Sequence, residues 1–580
     1  MRARVALSVL TLAGAACRGT TPPAAYRLAF ISEPTDAVAG AAIAPGIRVE
    51  IRDANEYRVP TAEIAVTLTL HANPGGAVLA GARTRNSVSG VATFSDVSLD
   101  RAAVGYTLSA TASGADPATS VPFTISPGAA ARLAFLTQPG TAEGQVLLDP
   151  PVRVATTDAF GNLVDGAPVE VTVALSVRPP DEALGGTTTA ATVGGVATFD
   201  NLTLALPADG LVLAASSSGL TSAASDGFSV RVTFVQQDAG GLHTCAVTIA
   251  GFAYCWGNNV LGQLGDGTTA QRETPAPVAG SLKFKQVSAG WEHTCGVTVG
   301  NVAYCWGLNE SGQLGDGTIV QRATPTPVVG GLSFAQLSAG QDHSCGVTTG
   351  GVGYCWGRND VGELGDGTTT QRPTPARVAG NLSFAQVSAM IHTCGVSIDH
   401  VAYCWGRNVE GQLGDGAPTL LREMPTRVAG SASFAQVSAG AYHSCGITTD
   451  NSAYCWGENV AGQLGDGTTS GRATPTPVAG ALSFTQLSAG SQYTCGVTTG
   501  NRAYCCGSNE YGQLGDGTDS GRAMPTPAAG GLSFAQMTAG NVHTCAVTTG
   551  KVVYCWGYNA YGGLGDGTTA HRYTPVRVVQ

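Results

Sequence analysis

The side chains best placed to do chemistry in this 580-residue chain are cysteines, and most come in pairs. Fourteen of the 16 lie ten residues apart: Cys245 and Cys255, Cys295 and Cys305, Cys345 and Cys355, Cys394 and Cys404, Cys445 and Cys455, Cys495 and Cys505, Cys545 and Cys555. A turn near Thr349-Gly-Gly351 folds such a stretch into a hairpin and sets its two cysteines opposite each other. At a non-hydrogen-bonded antiparallel site the Cα separation is about 4.5 Å, within disulfide range. Each closure adds roughly 2–3 kcal/mol by restricting the unfolded chain, though seven such terms do not simply sum. Zinc is the competing chemistry. A pair with nine intervening residues lacks the tight spacing of a zinc ribbon and has no second pair within reach.

Three other residue types recur with the cysteines. Histidine precedes six pairs (His243, His293, His343, His392, His443, His543), with Tyr493 in the seventh copy. A ring of histidines suggests metal, but Tyr493 interrupts it, and a hydrogen-bonding role is favoured. Asp266, Asp316, Asp366, Asp415, Asp466, Asp516 and Asp566 each sit in a Gly-Asp-Gly turn, where the carboxylate can cap its own backbone. No copy adds a second acid at fixed spacing, which argues against calcium or paired-carboxylate catalysis. Arg272, Arg322, Arg372, Arg422, Arg472, Arg522 and Arg572 follow six or seven residues later and read as ion-pair partners. Cys506 replaces a tryptophan present in the other copies (Trp256, Trp306, Trp356, Trp405, Trp456, Trp556) and is either a buried small apolar residue or a reactive thiol, with burial favoured.

The elements that hold these residues are short strands. Gly numbers 80, charged residues make up 12%, and no amphipathic helical stretch is found. From residue 234, seven copies of about 50 residues run to the C-terminus, typified by Phe334-Ala-Gln-Leu-Ser-Ala-Gly340, His343-Ser-Cys-Gly-Val347, Tyr354-Cys-Trp-Gly357 and Gly362-Glu-Leu-Gly-Asp-Gly-Thr368. Four strand candidates per copy make a propeller blade. The Gly-Gln-Leu-Gly signature after Tyr-Cys-Trp-Gly resembles the repeats of the regulator of chromosome condensation family, which carries histidine at the repeated position. That resemblance implies a seven-bladed β-propeller over 231–580. Pairing of the 230–238 region with the C-terminal strand is expected to close the ring.

Upstream, Arg27-Leu-Ala-Phe30 recurs at 132–135 and Gly90-Val-Ala-Thr-Phe94 at 195–199, both at an offset of 105 residues. Ile64, Val66, Leu68 and Leu70 alternate with less apolar residues, as do Val169, Val171, Val173 and Leu175. Such period-2 runs predict two β-sandwiches, over 26–129 and 130–230, similar to the Ig-like modules of bacterial surface proteins and suited to act as spacers. The fold class expected is thus all-β: a seven-bladed propeller preceded by two Ig-like β-sandwich domains.

The N-terminus reads as a targeting segment over 1–17, with Arg2 and Arg4 ahead of a short apolar run. Gly14-Ala15-Ala16-Cys17 resembles the lipobox of bacterial lipoproteins, which makes Cys17 a lipidation site; ordinary secretion is the alternative. Residues 18–25 form a tether. Paired cysteines in this number belong to an oxidising compartment, so the expected location is exported: an outer-membrane lipoprotein at the cell surface, or the periplasm or medium. Net charge is −10 and only three lysines occur (Lys283, Lys285, Lys551), which argues against nucleic acid as a partner. Membrane contact is expected only through the lipid.

No nucleophile elbow, His-Glu-x-x-His, P-loop or dinucleotide fingerprint occurs, and the chain is read as a binding protein without cofactor or metal. Loops joining first to second and third to fourth strands emerge on one blade face. Their residues vary between copies: Trp291, Arg358, Arg407, Tyr442, Tyr511, Tyr558 and Tyr561 are types that dominate interface hot spots. The partner expected there is a protein or a glycan. Guanine-nucleotide exchange, implied by the family's eukaryotic namesake, and enzyme inhibition, implied by its secreted β-lactamase inhibitors, are the alternatives. Fifteen of the cysteines lie within 231–580, so one there is left without a pair. Alkylation of unfolded, non-reduced mature protein should label a single cysteine within 231–580, Cys506, when read by mass spectrometry; several labelled pairs would overturn the pairing.

Overall fold

The computed structural model describes residues 26–177 and 183–580, and every regular element there is a β-strand. Cys17, the signal segment over 1–17 and the tether over 18–25 lie outside the described residues.

Each of the first two units packs two sheets over one core. In the first, Tyr26–Ser32, Ile47–Arg52 and Val91–Phe94 form one sheet, while Ala65–Ala72, Ala103–Ala112 and Phe123–Ser126 dominate the other. The alternation seen in the sequence supplies the facing sides: Val49, Ile51, Val66, Leu68, Leu108 and Phe123 share the core. The second unit repeats this, pairing Arg132 with Thr157 where the first pairs Arg27 with Arg52, and burying Val154, Val171, Val173 and Phe228. Hydrogen bonds occupy both junctions. Asn162 exchanges bonds with Ala102 N and Asp100 O, and the Tyr254 hydroxyl donates to Ala205 O.

Seven four-stranded sheets follow, one per sequence copy. In the third blade Phe334–Ala339 lies innermost, followed outward by His343–Thr348, Gly353–Gly357 and Arg372–Arg377. The cysteines face each other across the second and third strands, all seven pairs are bonded, and their Cα atoms are 4.0–4.1 Å apart.

Closure departs from the expectation. Phe234–Ala239 pairs with His243–Thr248 in its own blade, and Arg572–Arg577 pairs with Val553–Gly557 in the last, so no blade is shared between the chain ends. The seam between the last and first blades is closed by contacts that recur at the internal seams. The loop between third and fourth strands reaches over the next blade, where its backbone carbonyl accepts a hydrogen bond from the tryptophan indole: Trp306 to Gln263 O at 2.9 Å, Trp356 to Gln313 O at 2.9 Å, and across the closing seam Trp256 to Gly563 O at 2.9 Å. The Gly-x-Leu-Gly sequence permits this approach. Gly265 has φ +70°, and a Cβ there would lie 2.6 Å from the Trp306 indole nitrogen. Val232 and Val578 add apolar packing to the closing seam.

Two more side-chain ladders cross the seams. The inner-strand glutamine binds the next blade's backbone at both ends of its amide; for Gln286 these are Leu337 O at 2.9 Å and Leu337 N at 3.0 Å. The second ladder is the histidine ring. Thr294 Oγ1 donates to Gln263 O, so the His243 Nε2–H must donate to Thr294 Oγ1, 2.8 Å away. The other five histidines meet a Thr or Ser of the next blade at 2.6–2.9 Å. Tyr493 keeps the seam by donating to His543 O at 2.6 Å.

Burial holds five of these histidines down to about 3 and His543 to about 4, so the rings are neutral. Folded values below the unfolded value of about 6.5 mean stability is complete above that pH and lost as pH falls toward 3. We expect the denaturation midpoint to drop between pH 7 and pH 5, as the unfolding free energy falls by up to about 1.4 kcal/mol per histidine for each pH unit below about 6. An unchanged midpoint would refute the neutral ring. Cys506 is fully enclosed, its thiol pushed up to about 12 by burial, beside a small apolar cavity lined by Val478, Phe484, Leu487 and Pro525. Its Sγ lies 3.6 Å from Gln463 O, the carbonyl that a tryptophan would reach. Cys506→Trp should stabilise the propeller by about 2–4 kcal/mol in chemical unfolding.

Candidate functional site

The variable loops meet on one face because backbone hydrogen bonds join them. Arg358 N donates to Asp342 O, Glu458 N to Tyr442 O and Tyr558 N to Val542 O, each tying the start of a third-to-fourth-strand loop to the first loop of the same blade. Beneath that rim the loop is rigid. In blade 1 the buried Asn259 accepts from Leu264 N and donates to Thr268 O and Ala270 O, folding the loop back on itself. Asp266 accepts from both Thr268 N and Thr268 Oγ1, and its other oxygen meets Arg272. The seven Asp–Arg pairs span 2.6–3.1 Å. Burial alone would raise these carboxyls, but hydrogen bonds from Arg and Thr, or in the fourth blade from Arg422, Ala417 N and Asn408, outweigh it and hold them low. They are spent on the loop, leaving the rim residues to face outward.

The seven hot-spot candidates occupy that face but not a single cluster. Tyr511, Tyr558 and Tyr561 come together at the sixth and seventh blades: Tyr511 and Tyr558 meet edge to face with centroids 5.0 Å apart, and Tyr558 and Tyr561 at 6.4 Å. Burial and the neighbouring tyrosines raise the Tyr558 hydroxyl above its ordinary range. Arg407 lies 5.7 Å from the Tyr442 ring centroid, across the fourth and fifth blades. Arg358 is held among carboxylates, 2.8 Å from Asp360 and 3.3 Å from Asp342. Trp291 stands apart, half-buried over Gly241 beside the central channel.

His571 was not anticipated. It stacks on Tyr558 at 4.8 Å, meets Tyr511 at 5.5 Å and accepts a hydrogen bond from Asn559 N at 2.9 Å. Its place varies between copies, with Gln271, Gln321 and Gln371 in the first three and Leu421, Gly471 and Gly521 in the next, so its only signal in the sequence is that variability. Acidic residues populate the second to fifth blades. Burial, with Asp342 and Glu310 nearby, raises the Glu292 carboxyl; burial and Glu410 raise Glu458. Among the described residues no group of three or more His, Cys, Asp or Glu is placed to hold a metal ion.

A ring of seven four-stranded blades, each clasped by the preceding blade's loop and carrying its variable loops on one face, defines a β-propeller. The matches to known proteins specify its kind: an RCC1-like domain model covers residues 334–580, and the regulator of chromosome condensation (RCC1) repeat matches 250–297 and 301–347. The propeller belongs to the regulator of chromosome condensation family. Its fold is similar to that of Prp20p from Saccharomyces cerevisiae, with 20% identity and TM-score 0.52, over 57% of this chain and 87% of that one. Yeast RCC1 (Prp20) bound to Kap60 aligns with 20% identity and TM-score 0.50, over 60% and 85%. Human WBSCR16 aligns with 18% identity and TM-score 0.51, over 66% and 98%. No curated protein matches the chain's sequence closely enough to serve as a relative.

Proposed function

We propose that this chain is an exported binding protein whose propeller recognises a protein through the face described above. Its two N-terminal units act as Ig-like spacers, and lipidation of Cys17 anchors it. The observation that carries the reading is the Tyr511–Tyr558–Tyr561–His571 cluster, a part-exposed aromatic surface built from two blades. Rigid aromatics supply contact area at low entropic cost, and tyrosine and tryptophan are over-represented among residues whose truncation costs most. Binding of Gsp1p and histones has been described for Prp20p, which favours a protein over a glycan as the partner class here. Seven disulfides in the propeller support an oxidising location, where a nuclear exchange reaction has no place.

Affinity capture from cell-surface extracts with the mature chain, followed by titration of the captured partner, tests this. Tyr558→Ala and Tyr511→Ala should each weaken binding by about 1–3 kcal/mol with an unchanged unfolding midpoint. Trp291→Ala and Tyr442→Ala, outside the cluster, should cost less. Normal binding by both cluster variants would place recognition elsewhere.

A further inference from the structure

The inner strands line a central channel, and at one position in it a carboxyl replaces the hydroxyl that the other six blades carry. Where the other blades place Ser288, Ser338, Ser388, Ser438, Ser488 or Thr538, the first blade places Asp238. The hydroxyls have a seam duty: Ser288 Oγ accepts from Ala339 N at 3.1 Å and Ser338 Oγ from Ala389 N at 2.9 Å. Asp238 performs the same task with Oδ2, which accepts from Ala289 N at 3.0 Å. Serine would have sufficed there, so the carboxylate brings a charge that the seam does not need.

That charge lies in a chamber of about 90 Å³ at the channel mouth, where the strands end in Ala239-Gly240 and Ala289-Gly290 on the variable-loop face. Among the described residues lining the mouth and the adjoining glutamine-lined section, Asp238 alone has an ionisable side chain. Among the described residues Asp238 has no cationic partner. The collar of first loops above it includes Glu292 and Asp342 and no lysine or arginine. Burial pushes the Asp238 carboxyl up to about 7 against the hydrogen bonds it accepts, as expected of an acid left without a counter-charge.

We propose that the channel mouth is a subsite for a primary ammonium group, the side chain of a lysine presented by the bound protein, with Asp238 as its counter-ion. This rests on the reading of the variable-loop face as a protein-recognition surface. The donor and acceptor inventory fits. Each serine oxygen gives one lone pair to an Ala N–H and keeps another, and an ammonium brings three donors and no acceptor. It is also compact enough to enter at the end of a slim aliphatic stem, whereas a guanidinium demands a planar, bidentate carboxylate fork. A neutral or acidic insert would leave Asp238 buried without compensation.

The experiment uses the mature chain and three peptide probes: acetyl-Gly-Lys-Gly-amide, its Nε-acetyl-lysine form, and acetyl-Gly-Arg-Gly-amide, titrated by nuclear magnetic resonance. The variant is Asp238→Ser, which installs the residue five other blades already hold and so keeps the seam. The lysine peptide should bind the wild type at least tenfold more tightly than Asp238→Ser, and more tightly than either other peptide. No binding of the lysine peptide, equal binding by the variant, or equal binding of the acetylated peptide would overturn the proposal. The face and the channel can fail separately. A captured partner that binds Asp238→Ser normally but not Tyr558→Ala would reject the ammonium subsite and keep the surface.

Discussion

Neighbouring blades of this propeller share no strand, so each seam must satisfy buried backbone groups with side chains reaching from the next blade. Unpaired buried N–H and C=O groups cost about as much as a lost hydrogen bond, and there are several at every seam. The indole of Trp306 and the hydroxyl of Thr294 converge on one carbonyl, Gln263 O, while Gln286 pairs both ends of its amide with Leu337. The closing seam obeys the same rule: Trp256 and Thr244 converge on Gly563 O. A ring closed this way needs no exchanged strand, because the indole, histidine and hydroxyl contacts at the closing seam are those that recur around the ring.

This constraint explains why so much of each copy repeats. Tryptophan, histidine, glutamine and the glycine under the indole are all committed to the seam, and Asp–Arg pairs and asparagine to the clasping loop. What remains free is the rim of the loops, and there the copies diverge into acidic, cationic and aromatic patches. Function is expected in that residue of freedom. The inner-strand hydroxyl position is instructive because it is committed and yet gives up its hydroxyl once, at Asp238, without losing the bond to Ala289.

The sixth blade departs furthest from the pattern, with Tyr493 for histidine and Cys506 for tryptophan. Both lie on one hairpin, but they face opposite seams: Tyr493 reaches His543 in the seventh blade, Cys506 the Gln463 carbonyl in the fifth. The larger phenol therefore cannot fill the space the indole would have occupied. The cavity beside Cys506 persists for that reason, and the blade keeps its geometry through the Cys495–Cys505 bond and the shared core of Phe484 and Leu487.

Much of this was legible in the residues themselves. Period-2 alternation, a ten-residue cysteine spacing and seven copies dictated strands, hairpins and a ring, because each is a local rule with a fixed reach. The shared face of the variable loops followed from antiparallel strand direction alone. What local rules could not decide was how blades meet. Closure within blades rather than by strand exchange depends on the Gly563 carbonyl, 307 positions downstream of the Trp256 indole from which it accepts a hydrogen bond. The convergence of Tyr511, Tyr558, Tyr561 and His571 required two blades to lie side by side, and the isolation of Asp238 required seven inner strands to enclose a channel. Those are distances between chain segments far apart in sequence, which no repeat pattern encodes and only the packed ring sets.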